Sequence, residues 1–360
     1  MIKYIGSKRL IIPRITELVS YLPDVKRVCD LFAGTTRVGQ ALKQQGAYVI
    51  SNDLASYSLI LGRTYIQADA SRIDQQRMLS LLDELEALPP EPGYFTRTFC
   101  EDARYFQPHN GARIDAMRDA IDRLASNEEE RSILLTSLML AADRVDSTTG
   151  LQMAYLKAWA PRAYHRLELR LPNLLPGSGL AVQSDANLLA STLEDVDLVY
   201  IDPPYNQHSY FSNYHVWETL IRNDRPDVYG IANKRIDCRV QKSDYNSKQR
   251  IVQALDDLIT SVRSTYLLVS FSTEGYLGIG HIEDMLQGRG YVASTSVDFK
   301  RYVGAQIGIY NPAGAKVGAV SHLRNREHLF LVGPCREVVE SAVRRLERTP
   351  AHRQQAALPR

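Results

Sequence analysis

Nowhere in the 360 residues does an apolar run approach the ~18 residues of a membrane-spanning helix, which excludes a bilayer-embedded chain of that kind. Cysteine is scarce. Cys29, Cys100, Cys238 and Cys335 lie far apart, without the C-x-x-C pairs of a zinc site or the density of a disulfide framework. Reduced, structural thiols and no metal centre are therefore expected. Neither sign of charge dominates, and a net charge of +2 means that any nucleic-acid affinity has to come from local basic patches. No apolar stretch with a small-residue cleavage site follows the first residues, so no secretory signal is read and the expected location is the cytoplasm. With 44% hydrophobic and 23% charged residues, the chain is also not disordered, and its length suits one large domain or two modest ones.

What is present is a recurrence of apolar, β-branched runs, each followed by helical periodicity, the pattern of an α/β protein with a mostly parallel sheet. Seven strands are expected, at 27–31, 47–52, 180–184, 197–201, 265–271, 291–300 and 328–332. Several are almost continuously apolar, as strands covered on both faces should be. Between the second and third lies an insertion of about 120 residues, far beyond an ordinary connection, so it must hold structure of its own. Helical spacing at 77–88, 116–124 and 128–145 predicts a mainly helical unit over 59–179, inserted into a sheet domain made of 1–58 and 180–335. One amphipathic helix and a frayed end are expected in the tail, 336–360.

The first strand runs into Asp30-Leu31-Phe32-Ala33-Gly34-Thr35-Thr36-Arg37-Val38-Gly39-Gln40. A glycine turn between strand and helix lets a ligand approach the backbone closely. The nucleoside-triphosphate version G-x-x-x-x-G-K-[ST] fails because Gln40-Ala41 replaces the lysine and hydroxyl. The dinucleotide version G-x-G-x-x-G is broken by Phe32 and Thr36. A cofactor with an adenosine but no pyrophosphate survives, which suits S-adenosylmethionine. Asp53 ends the second strand, 23 residues after Asp30, where its carboxylate can accept from both ribose hydroxyls. A helix cap in Asn52-Asp53-Leu54-Ala55 is the alternative for the same residue.

The fourth strand, Leu198-Val199-Tyr200-Ile201, leads into Asp202-Pro203-Pro204-Tyr205-Asn206. Two prolines fix the backbone and aim the preceding carbonyls outward. Asp202 and the Pro203 carbonyl give two adjacent acceptors, and Tyr205 adds a flat face, a set suited to a planar ring bearing an exocyclic amine. An adenine amine is a poor nucleophile, and acceptors on both N–H bonds push its nitrogen toward an attacking form. The aromatic face would receive a base flipped from the duplex. A rigid loop with a capping Asp and a packed Tyr is the alternative.

Together, Lys3-Tyr4-Ile5-Gly6-Ser7-Lys8, Asp30-Leu31-Phe32-Ala33-Gly34, Asn52-Asp53 and Asp202-Pro203-Pro204-Tyr205 resemble the Dam-like adenine-N6 DNA methyltransferases, of the class whose recognition domain precedes the catalytic tetrapeptide. The resemblance implies a Rossmann-like methyltransferase sheet and site-specific methylation of adenine N6 in double-stranded DNA. It implies that Tyr4 and Lys8 approach the cofactor, that Asp30, Phe32, Ala33, Gly34 and Thr35 line it, that Asp53 binds the ribose, and that Asp185 contacts the cofactor adenine. It also implies a glycine where this chain has Thr36. Without the resemblance, Lys3 to Lys8 reads equally as a mobile basic terminus, and Asp185 as the cap of a helix beginning at Ala186.

Phosphate contacts should concentrate in 221–250, where eight Lys or Arg face four Asp. Asn206, Lys234, Arg235, Arg239 and Lys242 are the candidates there. Tyr205, Tyr210, Phe211, Tyr214, Trp217, Tyr229 and Tyr245 interleave with the charges, either as stacking faces or as core. His208, His215 and Glu218 lack the further ligands of a metal set. A hairpin or flap is expected at 302–326, and Arg144, Lys157, Arg162, His165 and Arg166 of the insertion read either as base contacts or as solvated helix faces. The function expected is that of an S-adenosylmethionine-dependent DNA adenine methyltransferase, with a cognate restriction enzyme as a possible counterpart. The other readings are an RNA adenine or cytosine-N4 methyltransferase, and a noncatalytic DNA-binding partner with a vestigial cofactor fold.

Overall fold

The computed structural model describes residues 2–6, 8–300, 309–310, 316–318 and 324–349. Its centre is a seven-stranded sheet. The strands are β1 (Arg27–Asp30), β2 (Tyr48–Asn52), β3 (Gly179–Val182), β4 (Leu198–Ile201), β5 (Tyr266–Ser272), β6 (Tyr291–Lys300) and β7 (Arg324–Gly333), in the order β3-β2-β1-β4-β5-β7-β6. The first five strands pair in parallel, and β7 runs antiparallel between β5 and β6. The expected α/β class and mostly parallel sheet are therefore found.

Both faces of the sheet are covered, which is why its central strands carry no polar alternation. Val28, Leu198, Tyr200 and Leu268 point to one side, and Cys29, Val199, Ile201, Leu267 and Val269 to the other. On the first side pack α1 (Ile12–Ser20) and α2 (Arg37–Gln44), the latter directly after the glycine turn. The insertion holds α3 (Ser56–Gly62), α4 (Gln75–Ala87), α5 (Pro108–Leu124) and α6 (Glu128–Arg144). Of these, α6 is buried almost all round, with Ile133, Leu134, Leu135, Leu138 and Met139 at the centre of a separate apolar cluster. Its start is fixed by Asn127, whose side chain accepts from the Glu130 amide, and by three glutamates in the first turn. Next come α7 (Ala186–Thr192), α8 (His215–Arg222), α9 (Ile251–Ser261) and α10 (Ile279–Gln287). The insertion closes over α8, so Trp217 is core rather than a stacking platform.

Several boundaries differ from expectation, the helix expected at 116–124 starting already at Pro108 and most strand ends moving by one or two residues. The third strand ends at Val182, not Ser184, because the Asn52 side chain takes over the Ser184 backbone, accepting from its amide and donating to its carbonyl. The seventh starts at Arg324, since it stays paired with β6 from Arg324↔Lys300 to Gly333↔Tyr291. The tail helix, α11 (Arg336–Arg348), is part of the sheet domain: Val339, Ala342, Val343 and Leu346 complete the core against α1. Most of the expected flap at 302–326 and the end at 351–360 lie outside the described residues, although Ile309–Tyr310 pairs antiparallel with Lys316–Gly318. Among the described residues, no helix is long and apolar enough to cross a membrane.

The order reverses at β1, which has β2 on one side and β4 on the other. Open α/β sheets bind ligands beyond the carboxyl ends of the strands at such a reversal. Here Asp30 pairs with Tyr200, so the glycine turn and the tetrapeptide leave the sheet side by side.

Candidate active site

A cavity of about 410 Å³ opens at that reversal, within the range of small-molecule sites. Tyr4, Lys8, Asp30, Phe32, Ala33, Gly34, Thr35, Asp53, Asp185, Asp202, Pro203, Pro204 and Tyr205 all line it. The structure thus brings every residue expected at the cofactor and catalytic positions into one cleft.

The glycine turn is held from both sides. Gly34 has φ +50°, and its amide donates to Asp53 Oδ2 at 2.8 Å. A Cβ at Gly34 would stand 3.1 Å from the Tyr4 ring, so the aromatic sits directly on the turn. Thr36 has φ +60° and is fully buried, a left-handed backbone at the position where the resemblance implies glycine. Its strain is opposed by the bond from Gln40 Nε2 to Thr36 Oγ1, 2.9 Å. Asp53 does not cap α3; its Oδ1 accepts from the Ala55 amide at 3.0 Å, in a turn two residues ahead of itself. Asp185 does cap α7, accepting through Oδ1 from the Asn187 and Leu188 amides while facing the cavity.

Asp30 is buried, and among the described residues its Oδ1 has no hydrogen-bond partner. Burial and the nearby Asp202 and Asp53 carboxyls push its pKa up to about 8, against opposing bonds from the Phe32 and Gly39 amides. A lone buried acceptor in a cavity of carboxyls is a place for a cation. Asp202 is pushed up to about 7 by burial, which the Lys8 ammonium opposes and Glu327 reinforces. Lys8 Nζ lies 2.9 Å from Asp202 Oδ1 and 2.7 Å from Glu327 Oε1. Burial pulls this ammonium down, yet the two carboxyls outweigh it and hold it well above the ordinary lysine range.

Tyr205 lies against Phe271, ring centroids 4.9 Å apart, and its carbonyl accepts from the Tyr276 amide at 2.9 Å. Across the cavity, Tyr4 stacks on Tyr214 (4.5 Å, 16°) and Tyr210 (5.2 Å, 20°). Tyr214 is core and anchors the Ile5 amide through its hydroxyl, at 2.6 Å. Tyr4 and Ile5 are thus held against the core, and Lys8 by its two carboxylates, rather than lying in a mobile terminus. Lys3, just before Tyr4, pairs with Asp143 and Asp146 of the insertion.

Three contributors have roles that the sequence does not indicate. Glu327 stands alone as an acid at the head of an apolar strand, a signal that could have marked it. Asn52 ties the ends of β1 and β3, donating to the Leu31 and Ser184 carbonyls. Glu218 accepts from the Ser56 and Tyr57 amides and so fixes the start of α3 beside the cavity.

A model of the D12 class N6 adenine-specific DNA methyltransferases matches residues 4–279. The chain belongs to that family. It is 33% identical over 302 residues to the modification methylase StsI of Streptococcus sanguinis, covering 79% of this chain and 46% of that protein. It is 30% identical over 313 residues to the type II methyltransferase M.NlaIII of Neisseria lactamica, covering 83% and 92%. It is 32% identical over 308 residues to M.FokI of Planomicrobium okeanokoites, covering 80% and 47%. The aligned stretch thus spans about half the length of two of these relatives and nearly all of the third.

For a family that acts on DNA, the candidates for phosphate contact divide. Arg235 has to be withdrawn. It is 1% exposed, and its guanidinium is spent on Asp224 (2.7 and 2.7 Å) and Asp237 (2.9 Å), which fixes the segment after α8. Its charge never reaches the surface. Arg239 and Lys242 are exposed, Lys234 half-buried, and Lys242 lines the cavity. Asn206 lies outside the cavity lining, its Oδ1 accepting from the His208 amide. His215 is a core histidine, Nε2 2.8 Å from the Gln152 carbonyl, and burial depresses its pKa to about 3. In the insertion, Arg162 pairs with Asp146 and Arg166 with Glu86.

Arg235→Met is expected to cost about 2 kcal/mol in a urea melt, less than the ~3–5 kcal/mol of a fully buried pair because Arg222 still serves both aspartates. The salt dependence of DNA affinity should not change. Unchanged stability with a flatter salt slope would return Arg235 to the DNA surface.

Proposed function

We propose that this protein transfers a methyl group from S-adenosylmethionine to the N6 amine of adenine in double-stranded DNA, at a specific site and with the base turned out of the helix. The observation that carries this reading is the juxtaposition of the Gly34 turn and Asp202-Pro203-Pro204-Tyr205 in one cavity. S-adenosylmethionine supplies, when bound, a methyl group on a positively charged sulfonium. The chain's residues fit it. Asp53 has one oxygen on each of two amides, leaving lone pairs for ribose hydroxyls, and Asp30 offers an unpartnered buried oxygen to an ammonium. Phe32 and Tyr4 give flat, apolar walls, and Asp185 uses only Oδ1 in capping α7.

On the substrate side, Asp202 and the Pro203 carbonyl accept the two amine N–H bonds, drawing the nitrogen lone pair out of the ring, while Tyr205 stacks on the base. Such alignment accounts for much of the acceleration without further chemistry from the protein. Lys234, Arg239 and Lys242 hold phosphates, which position the duplex without specifying its sequence. The helical unit over 59–179 reads the target. Relatives named modification methylases support a restriction enzyme of matching specificity as the counterpart, and the place of action we propose is the cytoplasm.

Asp202→Ala should abolish methyl transfer while S-adenosylmethionine still binds, a loss of about 100-fold to 1,000-fold or more in single-turnover rate. A folded variant within a few fold of wild type would remove Asp202 from the chemistry.

Cofactor affinity should also depend on pH, with a defined sign. The cation binds beside ionised Asp30, whose free carboxyl is pushed up to about 8 by burial and by Asp202 and Asp53. Affinity is therefore expected to rise from pH 6 toward pH 8, by up to about tenfold per pH unit for one released proton, and to stop rising there, where the ammonium begins to lose its own proton. Calorimetry in buffers of different ionisation enthalpy measures that proton directly. Flat affinity with no proton release would contradict the assignment.

A further inference from the structure

Glu327 is the one acid buried in the antiparallel part of the sheet among the described residues, at 1% exposure, opposite Ser272 of β5. A carboxylate there is expensive unless it is paired and hydrogen-bonded. Its Oε1 accepts from Lys8 Nζ at 2.7 Å and from Ser270 Oγ at 2.6 Å, and the same Lys8 Nζ lies 2.9 Å from Asp202 Oδ1. One ammonium is thus divided between two carboxylates, one on β7 and one at the reacting end of β4.

We infer that Glu327 is a positioning residue for methyl transfer: by taking a share of the Lys8 ammonium, it keeps Asp202 a stronger acceptor for the target amine than an undivided Lys8–Asp202 pair would be. The inference rests on the reading of Asp202 given above. Lys8 occupies Oδ1 of Asp202, and this orients the carboxylate. With Glu327 in place the triad is one negative charge in excess. Without it, Lys8 and Asp202 form a closed neutral pair, whose oxygen is a poorer acceptor.

The reaction gives that excess charge a use. The amine lone pair forms the new N–C bond, the S–C bond breaks with its electrons left on sulfur, and the nitrogen passes through a positively charged form before giving up one proton. A carboxylate poised near neutrality and facing that nitrogen favours the developing charge and can take the proton on its way to solvent. A role in stability alone would not need this arrangement, because an apolar residue of similar volume usually serves a buried position as well as an ion pair does.

Asp202 is faced by Lys8 from the N-terminal segment, Glu327 from β7, Asp30 from β1, Tyr200 from β4, and Tyr205 and Tyr210 from the loop and turn that follow. Burial raises the Asp202 carboxyl, Lys8 lowers it and Glu327 raises it again. Substitutions at the two partners should therefore move the acid limb of the pH–rate profile in opposite directions.

The test is single-turnover methylation of polymerase-amplified, hence unmethylated, mixed-sequence duplex DNA with labelled S-adenosylmethionine, between pH 5 and 9, on the full chain. In Glu327→Gln the acid limb should shift to lower pH by about one pH unit. The plateau should fall about tenfold, less than for loss of a group that touches the amine itself. Cofactor affinity at pH 8.5 should hold. In Lys8→Met the limb should shift to higher pH, and this variant carries the test if Glu327→Gln does not fold. Asp202→Ala, run alongside, separates the two ideas. If Asp202→Ala is dead while the limb stays in place in both partner variants, the inference is overturned and the reading of Asp202 stands. If Asp202→Ala methylates normally, the reading itself has failed.

Discussion

The Lys8 ammonium, held between Asp202 and Glu327, is the interaction on which the site depends. Asp30, Asp53 and Asp202 stand at or just beyond the carboxyl ends of parallel strands, and Glu327 stands near the start of the antiparallel β7 at the same edge of the sheet; buried acids brought so close repel each other and resist ionisation. A single cation from outside the sheet makes the cluster tolerable. It does not serve every acid, since among the described residues Asp30 retains an oxygen with no partner. That oxygen suits the cationic methyl donor proposed above. Breaking the lysine's hold would leave buried charges uncompensated, a far larger penalty than the pair's own net worth.

Getting Lys8 there requires the rest of the architecture. The N-terminal segment is tied down by Ile2 in the apolar cluster of the insertion, by aromatic stacking of Tyr4 on Tyr214 and Tyr210, and by Lys3 on the insertion. Tyr214 in turn is core because α6 and α8 pack together over it. The helical insertion therefore supports the catalytic end of the sheet as well as adding surface. At the sheet itself, parallel pairing of β1 with β4 sets Asp30 beside Tyr200, and two further residues of extended chain carry Asp202 out into the cleft. Two segments distant in sequence thus share one site because of a reversal in strand order.

Much of this was legible in the residues. The turn after β1, Asp53 at the end of β2 and the tetrapeptide after β4 each combine a local backbone demand with a chemical one, and both are local in sequence. What depends on long-range pairing was not. Arg235 sits in a basic stretch and looks like a surface charge until Asp224 and Asp237 are seen to enclose it. Glu327 gains its meaning only from Lys8 at the other end of the chain. Asn52 was part of a recognised pair, but its bonds to Leu31 and Ser184 depend on the β1, β2 and β3 ends meeting. Asp185 is the helix cap that its sequence allows, and it also lines the cavity.

The central claim is that a cleft built for a cationic methyl donor opens onto acceptors shaped for an adenine amine. Mass spectrometry of nucleosides from duplex DNA incubated with the protein and S-adenosylmethionine tests it most directly. The account predicts N6-methyladenine as the product, absent when Asp202 is replaced by alanine. N4-methylcytosine in its place, or no methylated nucleoside from a folded protein that binds the cofactor, would contradict it.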